Sequence, residues 1–217
     1  MTQVEVFEFN PFQENTYILH DQTHECIIID PGCHTATEQQ QLSDFISRKR
    51  LRPVQLINTH CHIDHVLGNR YVADTYQIEL AIHKNELPLL EAVPRQAQMF
   101  GMGNIESSPA PTRFLTEKDT ITFGESSLKI LFTPGHSPGS ISFWHENNGF
   151  VIAGDVLFRL SIGRTDLPGG DFDTLIQSIQ TQLLPLDDAT KVYSGHGPAT
   201  TIGFERRNNP FLQMQAW

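Results

Sequence analysis

The chain has 217 residues, 39% hydrophobic and 18% charged, enough apolar material for a globular core. Its 15 Lys and Arg against 25 Asp and Glu give a formal charge of -10, which lacks the basic footprint of a nucleic-acid binder and is repelled by an anionic membrane surface. Mean hydropathy is -0.28, and no apolar run reaches the ~20 residues of a spanning helix.

The start of the chain, through Phe12, has neither a basic opening nor an apolar signal core, so a secretion signal is not expected. Three cysteines, Cys26, Cys33 and Cys61, have no framework spacing, which points to a reducing, cytoplasmic setting. Residues 4–9 alternate as a strand until Asn10-Pro11 breaks them, and 16–19 and 26–29 are further β-rich runs, the last closed by Asp30-Pro31-Gly32. Residues 37–50 have helical spacing, with Leu42, Phe45 and Ile46 on one face. A short buried strand is expected at 54–57, a helix from near His65 to about Thr75, and a strand at 78–82. Residues 84–116 read as irregular, with a helical piece around Leu87, Leu89 and Leu90. A Gly- and Pro-rich loop follows, carrying exposed Met99, Phe100 and Met102 as a lid, a subunit contact or simply packed loop. Strands return at 120–123, 128–132, 140–144, 150–153 and 191–194, and Asp171-Phe172-Asp173 opens a helix to about Leu183. The order suggests a layered α/β fold in one domain spanning 1–217.

Histidine is the unusual residue, ten in the chain, and three fall in the hexapeptide His60-Cys61-His62-Ile63-Asp64-His65. Imidazole and carboxylate are the usual ligands of zinc and similar divalent ions. Residues two apart on an extended loop point the same way, so His60 and His62 can converge on one ion. Asp64 and His65 stand where the chain turns into a helix and can face a second. Three more places repeat one pattern: an apolar run, then His136, Asp155 or His196, beside a Gly or Pro turn. Seven ligands at strand ends suit two adjacent ions sharing one carboxylate and one water or hydroxide.

The motif His-x-His-x-Asp-His, followed by a distant His, Asp and His, resembles the signature of the metallo-β-lactamase superfamily over nearly the whole chain. The resemblance implies an α/β fold, a four-layer αβ/βα sandwich. It implies one ion on His60, His62 and His136, another on Asp64, His65 and His196, and Asp155 between them. Within the superfamily the runs 133–140, 154–171 and 194–211 look like short bacterial hydroxyacylglutathione hydrolases, or glyoxalase II. That likeness implies a metal-dependent thioesterase acting on S-lactoylglutathione or a similar small thioester, with two divalent ions, zinc first and iron or manganese next. Asp64 would orient the attacking water and take its proton, and Arg164 matches a basic position that holds glutathione. The chain stops soon after His196, so the C-terminal helical domain of the long enzymes is not expected, and Asp166 and Pro198 stand where those enzymes carry tyrosines.

The alternatives are a persulfide dioxygenase with a single iron, another hydrolase such as a lactonase or β-lactamase, and a metal-binding module without catalysis. The -10 charge disfavours an RNA-processing member. Cys61 should point away from its flanking ligands, and His20, His24, His34, His83 and His145 lack ligand-like companions.

Overall fold

The computed structural model describes residues 1–213. The chain divides into two compact units, Met1–Leu115 with Thr122–Ser127, and Thr116–Ile121 with everything from Leu128 onward.

The first unit is built on a six-stranded sheet in the order β1 (Gln3–Phe9), β2 (Glu14–His20), β3 (Glu25–Ile29), β4 (Arg52–Ile57), β5 (Leu80–His83) and β6 (Arg113–Leu115). The β1, β2 and β3 strands form an antiparallel meander, whereas β3, β4, β5 and β6 run parallel. Parallel neighbours need crossovers, and helices supply them. These are α1 (Ala36–Lys49), the pair α2 (Ile63–Val66) and α3 (Asn69–Tyr76), and α4 (Leu87–Met99). The loops leaving β3, β4 and β5 therefore gather at one edge of the sheet, the usual place for a site in a parallel array.

The α1 helix follows its pattern closely. Thr35 caps it in a reciprocal box with Glu38, Arg50 ends it in the left-handed region, and Leu42, Phe45 and Ile46 are buried. Its apolar face joins a core of Ile18, Cys26, Ile28, Leu56, Val72, Leu80 and Ile82.

Two expectations need correction. The helix foreseen from His65 to Thr75 is two helices broken at Leu67-Gly68. Gly68 N donates to Pro31 O at 2.7 Å, and a Cβ there would stand 2.5 Å from Cys33 Sγ and 2.8 Å from Pro31 O. Close approach of the 31–33 turn forces the break. The stretch 84–116 is also more regular than expected, since α4 runs for 13 residues through Pro94, and β6 follows the loop. Met99 and Phe100 are indeed exposed, at 80% and 61%, while Met102 packs back on the core.

The second sheet has the order β14 (Thr200–Thr201), β13 (Lys191–Ser194), β10 (Phe150–Gly154), β9 (Ile141–His145), β8 (Ser126–Phe132) and β7 (Thr120–Phe123). A small hairpin joins β11 (Leu157–Phe158) to β12 (Ser161–Ile162). The β10 and β13 strands are parallel, linked through α5 (Phe172–Ser178) and the wide turn Ile179–Leu183. Leu175, Ile176, Ile179 and Leu183 are buried with Val151, Ala153, Val192 and Ile202. Two short helices, α6 (Ile202–Asn208) and α7 (Pro210–Gln213), were not foreseen. No helix among the described residues is long and apolar enough to cross a membrane.

Candidate metal centre

In the first unit, β4 ends at Ile57 and the next eight residues carry four of the expected ligands. The segment stays extended to His62, whose φ and ψ are -68° and 153°, and then coils into α2. His60, His62 and His65 are all buried and Asp64 is partly exposed. The His60 ring lies 4.9 Å from that of His62 and 4.1 Å from that of His65, centroid to centroid. Cys61 has its side chain in the apolar core and burial pushes its thiol pKa well up, so it turns away from the imidazoles.

The imidazoles are oriented by polar groups behind them. His60 Nδ1 lies 3.1 Å from Thr59 Oγ1, and His65 Nδ1 lies 3.2 Å from Asp30 Oδ2. A contact at Nδ1 turns Nε2 the other way, the arrangement second-layer groups impose on ligand histidines. His65 Nε2 then lies 3.5 Å from Asp64 Oδ2. Asp30 also accepts Thr59 N–H at 2.7 Å and the Thr59 hydroxyl at 2.5 Å. Glu14 is buried nearby, with Oε1 3.9 Å from His65 Nδ1, and burial pushes its carboxyl well above the usual range while His65 opposes this. The Asn58 amide donates to His65 O at 3.1 Å and accepts from Asn69 at 2.8 Å, which ties the loop to α2 and α3.

In the second unit the other three ligands stand after β8, β10 and β13. Gly135, at φ +129°, brings the chain so near α5 that a Cβ would lie 2.3 Å from Leu175 Cα; this places His136. His136 Nδ1 lies 2.7 Å from Arg164 O, so it donates there, and Nε2 faces Asp155 Oδ2 at 3.5 Å. His196 Nε2 faces the same Asp155 oxygen at 3.6 Å. Gly195 N donates to Gly154 O at 2.8 Å, which holds the two strand-end turns together. Arg164 is exposed and its guanidinium forks onto Asp166, with Nε and Nη2 each 2.7 Å from a carboxylate oxygen. Hydrogen bonding from Arg164 pulls the Asp166 pKa down to about 2.

These distances suit a metal. Ligands at 2.0–2.1 Å around tetrahedral zinc stand roughly 3.3–3.5 Å from each other. The Nε2–carboxylate pairs His65–Asp64, His136–Asp155 and His196–Asp155, at 3.5–3.6 Å, lie close to that edge and beyond ordinary hydrogen-bond length. The expected donor set is imidazole and carboxylate, which suits zinc and similar divalent ions.

Residues 9–196 match the metallo-beta-lactamase superfamily. The chain belongs to that superfamily. As a member it is a metallo-hydrolase, and the superfamily binds divalent metals. It is 37% identical over 214 residues to hydroxyacylglutathione hydrolase GloC of Haemophilus influenzae, covering 98% of this chain and 99% of that one. BLEG-1, a B3 metallo-beta-lactamase, superposes with a TM-score of 0.89 at 36% identity, over 97% of this chain and 100% of that one. TTHA1623, solved in a di-iron-bound form, gives 0.86 at 37% identity, over 96% and 100%. The fold is therefore the superfamily's α/β sandwich, as the sequence led one to expect.

Asp30 and Glu14 were absent from the expected site. Asp30 follows an apolar run and precedes Pro-Gly, the pattern that marked Asp155, yet it also reads as an ordinary turn opener. Nothing in the sequence around Glu14 distinguishes it from a strand-edge carboxylate.

Proposed function

We propose that the protein hydrolyses thioesters, with S-lactoylglutathione or a similar glutathione thioester as substrate and a hydroxy acid and free thiol as products. The observation that carries this reading is the full-length likeness to the relative named hydroxyacylglutathione hydrolase. His60, His62 and His136 would hold one divalent ion, and Asp64, His65 and His196 a second. Asp155 would serve both, in keeping with one Asp155 oxygen facing two imidazoles in its own unit. Zinc is the metal proposed. The ions supply Lewis acidity, bringing a water's pKa toward neutrality and polarising the thioester carbonyl.

The chain's own groups do the rest. Asp64, the partly exposed carboxylate of its segment, orients the attacking water and receives its proton. Thr59, Asp30 and the Arg164 carbonyl hold the imidazole rings in place. A thiolate leaves readily, so no strong general acid is needed. The Arg164 guanidinium is proposed to bind a carboxylate of the thiol carrier. The partner is a small molecule, neither nucleic acid nor membrane, in keeping with the -10 charge. Three buried thiols without a disulfide fit a cytoplasmic protein.

The test is metal analysis of the purified protein together with S-lactoylglutathione hydrolysis. The expected outcome is turnover that a chelator abolishes and zinc restores. A zinc-loaded protein that leaves the thioester intact would end the substrate assignment. A second reading, β-lactam hydrolysis, is favoured by the likeness to BLEG-1. Turnover of a chromogenic cephalosporin faster than of the thioester would put it first.

A further inference from the structure

The β4 and β5 strands are parallel, with Leu56 opposite Leu80 and Ile57 opposite Ala81. The ladder runs on past β4, because Asn58 N donates to Ala81 O at 3.2 Å. The loops leaving the two strands therefore emerge side by side. One carries His60-Cys61-His62. The other makes a single tight turn, Lys84–Glu86, capped by the His83 ring accepting from Asn85 N, and ends at Glu86, where α4 begins.

Glu86 is fully buried and its Oε2 accepts the Cys61 N–H at 2.8 Å. Burying a carboxylate is costly, so its placement needs a reason. The peptide it grips lies between two expected ligands. In an extended segment the side chains of residues 60 and 62 share one side and that of 61 the other. Rotation about the Cys61 peptide would swing one imidazole relative to its neighbour. On the far side of His60, Asp30 Oδ1 holds Thr59 N–H at 2.7 Å. The ligand segment is thus held on both flanks by carboxylates from the neighbouring parallel strands, Asp30 after β3 and Glu86 after β5.

We propose that Glu86 is a positioning residue for the His60–His62 pair: by fixing the Cys61 peptide it presets the two imidazoles for a divalent cation. The proposal rests on the metal-binding half of the proposed function and not on its substrate. Glu86 touches neither cation nor substrate, so its effect must appear in metal affinity and ligand geometry.

The experiment is zinc competition against a chromophoric chelator. It uses the full chain as wild type, Glu86→Gln, Glu86→Asp and Glu86→Ala, with the visible spectrum of each cobalt-substituted protein and thermal unfolding of each metal-free one. Glutamine keeps an acceptor at the same reach, so Glu86→Gln is expected within about threefold of wild type, with an unchanged cobalt spectrum. Glu86→Ala loses the acceptor and is expected to bind zinc about 10- to 100-fold more weakly, the usual scale for removing a supporting partner of a ligand. Glu86→Asp keeps the charge but withdraws the oxygen, and is expected to fall with alanine, so the test stands even if Glu86→Ala does not fold. Wild-type zinc affinity in folded Glu86→Asp or Glu86→Ala would overturn the proposal. So would Glu86→Gln binding as weakly as Glu86→Asp, since charge rather than the hydrogen bond would then matter. A wild-type protein that binds no zinc sinks the metal centre and this role with it. Zinc binding without thioesterase activity bears on the substrate alone.

Discussion

If Arg164 binds a substrate carboxylate as proposed, that carboxylate meets a guanidinium already forked onto Asp166. Both groups are exposed, and such a pair holds weakly. Displacing Asp166 is therefore easy, but it is a competition. Asp166→Asn is expected to lower KM for S-lactoylglutathione about two- to fivefold, and Arg164→Ala to raise it, with kcat little changed in either. Steady-state kinetics at two salt concentrations check this, and both effects should shrink as salt rises. A raised KM in Asp166→Asn would mean that Asp166 aims Arg164 and does not compete with substrate. On the proposed mechanism Asp64 orients and deprotonates the attacking water, so Asp64→Asn is expected to cut kcat on the order of a hundredfold with the fold intact. Turnover near wild type would remove Asp64 from the mechanism. Asp21 is a stability residue. Burial pushes its carboxyl up, but hydrogen bonds from Thr23, Ser126 and Glu125 outweigh that and bring the pKa down to about 2. A pKa held below that of the unfolded chain stabilises fully above about pH 4, and the gain drains away as pH falls through about 2. Asp21→Asn is expected to cost about 2 kcal/mol at pH 7 and progressively less below pH 4. Urea unfolding at pH 7 and pH 3 measures it, and an undiminished gap at pH 3 would contradict the assignment.

The elements differ in how openly the sequence declared them. The α1 helix carries a cap, an acidic first turn and a buried stripe, all readable locally, and its bounds fall within a residue of expectation. The break between α2 and α3 was hidden, because Gly68 is required by the distant turn at Pro31 and Cys33 and not by its own neighbours. The start of the α4 helix was legible around Leu87, Leu89 and Leu90, but its length was not, since Pro94 argues against a helix interior that tertiary packing of Leu90, Val93 and Ala97 sustains. The expected metal ligands were legible as motif and spacing. Asp30 and Glu86, which brace the ligand segment, were not, because they reach it from the neighbouring strands β3 and β5. Gly68→Ala tests the helix break. Its φ is -94°, so alanine is not strained in the backbone, but the new methyl meets a backbone oxygen. A loss of about 1–3 kcal/mol is expected, as for overpacking elsewhere. Denaturant midpoints measure it, and an unchanged midpoint would mean that the 31–33 turn yields freely.

At the scale of the molecule, the seven expected ligands come from four strand-to-loop junctions, after β4, β8, β10 and β13, within a match spanning residues 9–196. Metal and fold are then linked, because a cation that binds only the native chain stabilises it. Zinc at a hundredfold its Kd adds about 2.7 kcal/mol per site, which corresponds to a Tm shift of about 5–10 °C for a chain of this size. Chelation is expected to lower Tm by about that much for each ion removed and to abolish hydrolysis, and metal analysis should give about two ions per chain. A reconstituted protein that never exceeds one ion would remove the shared role of Asp155 and bring the single-iron alternative forward.

The three cysteines have a use in this setting. All lie buried in the first unit, and the second has none. Burial pushes Cys26 and Cys33 up to about 12 and Cys61 up as well, so the folded chain offers an alkylating reagent almost no thiolate. Modification must wait for the first unit to open, which makes its rate a clock for those excursions without any probe being added. The clock reads β3, the turn at Cys33 and the ligand loop separately, one thiol each, and mass spectrometry can tell the three apart. If zinc clamps His60 and His62, labelling at Cys61 slows most, and the ratio of its rate to that of Cys26 reports how far the clamp extends into the sheet.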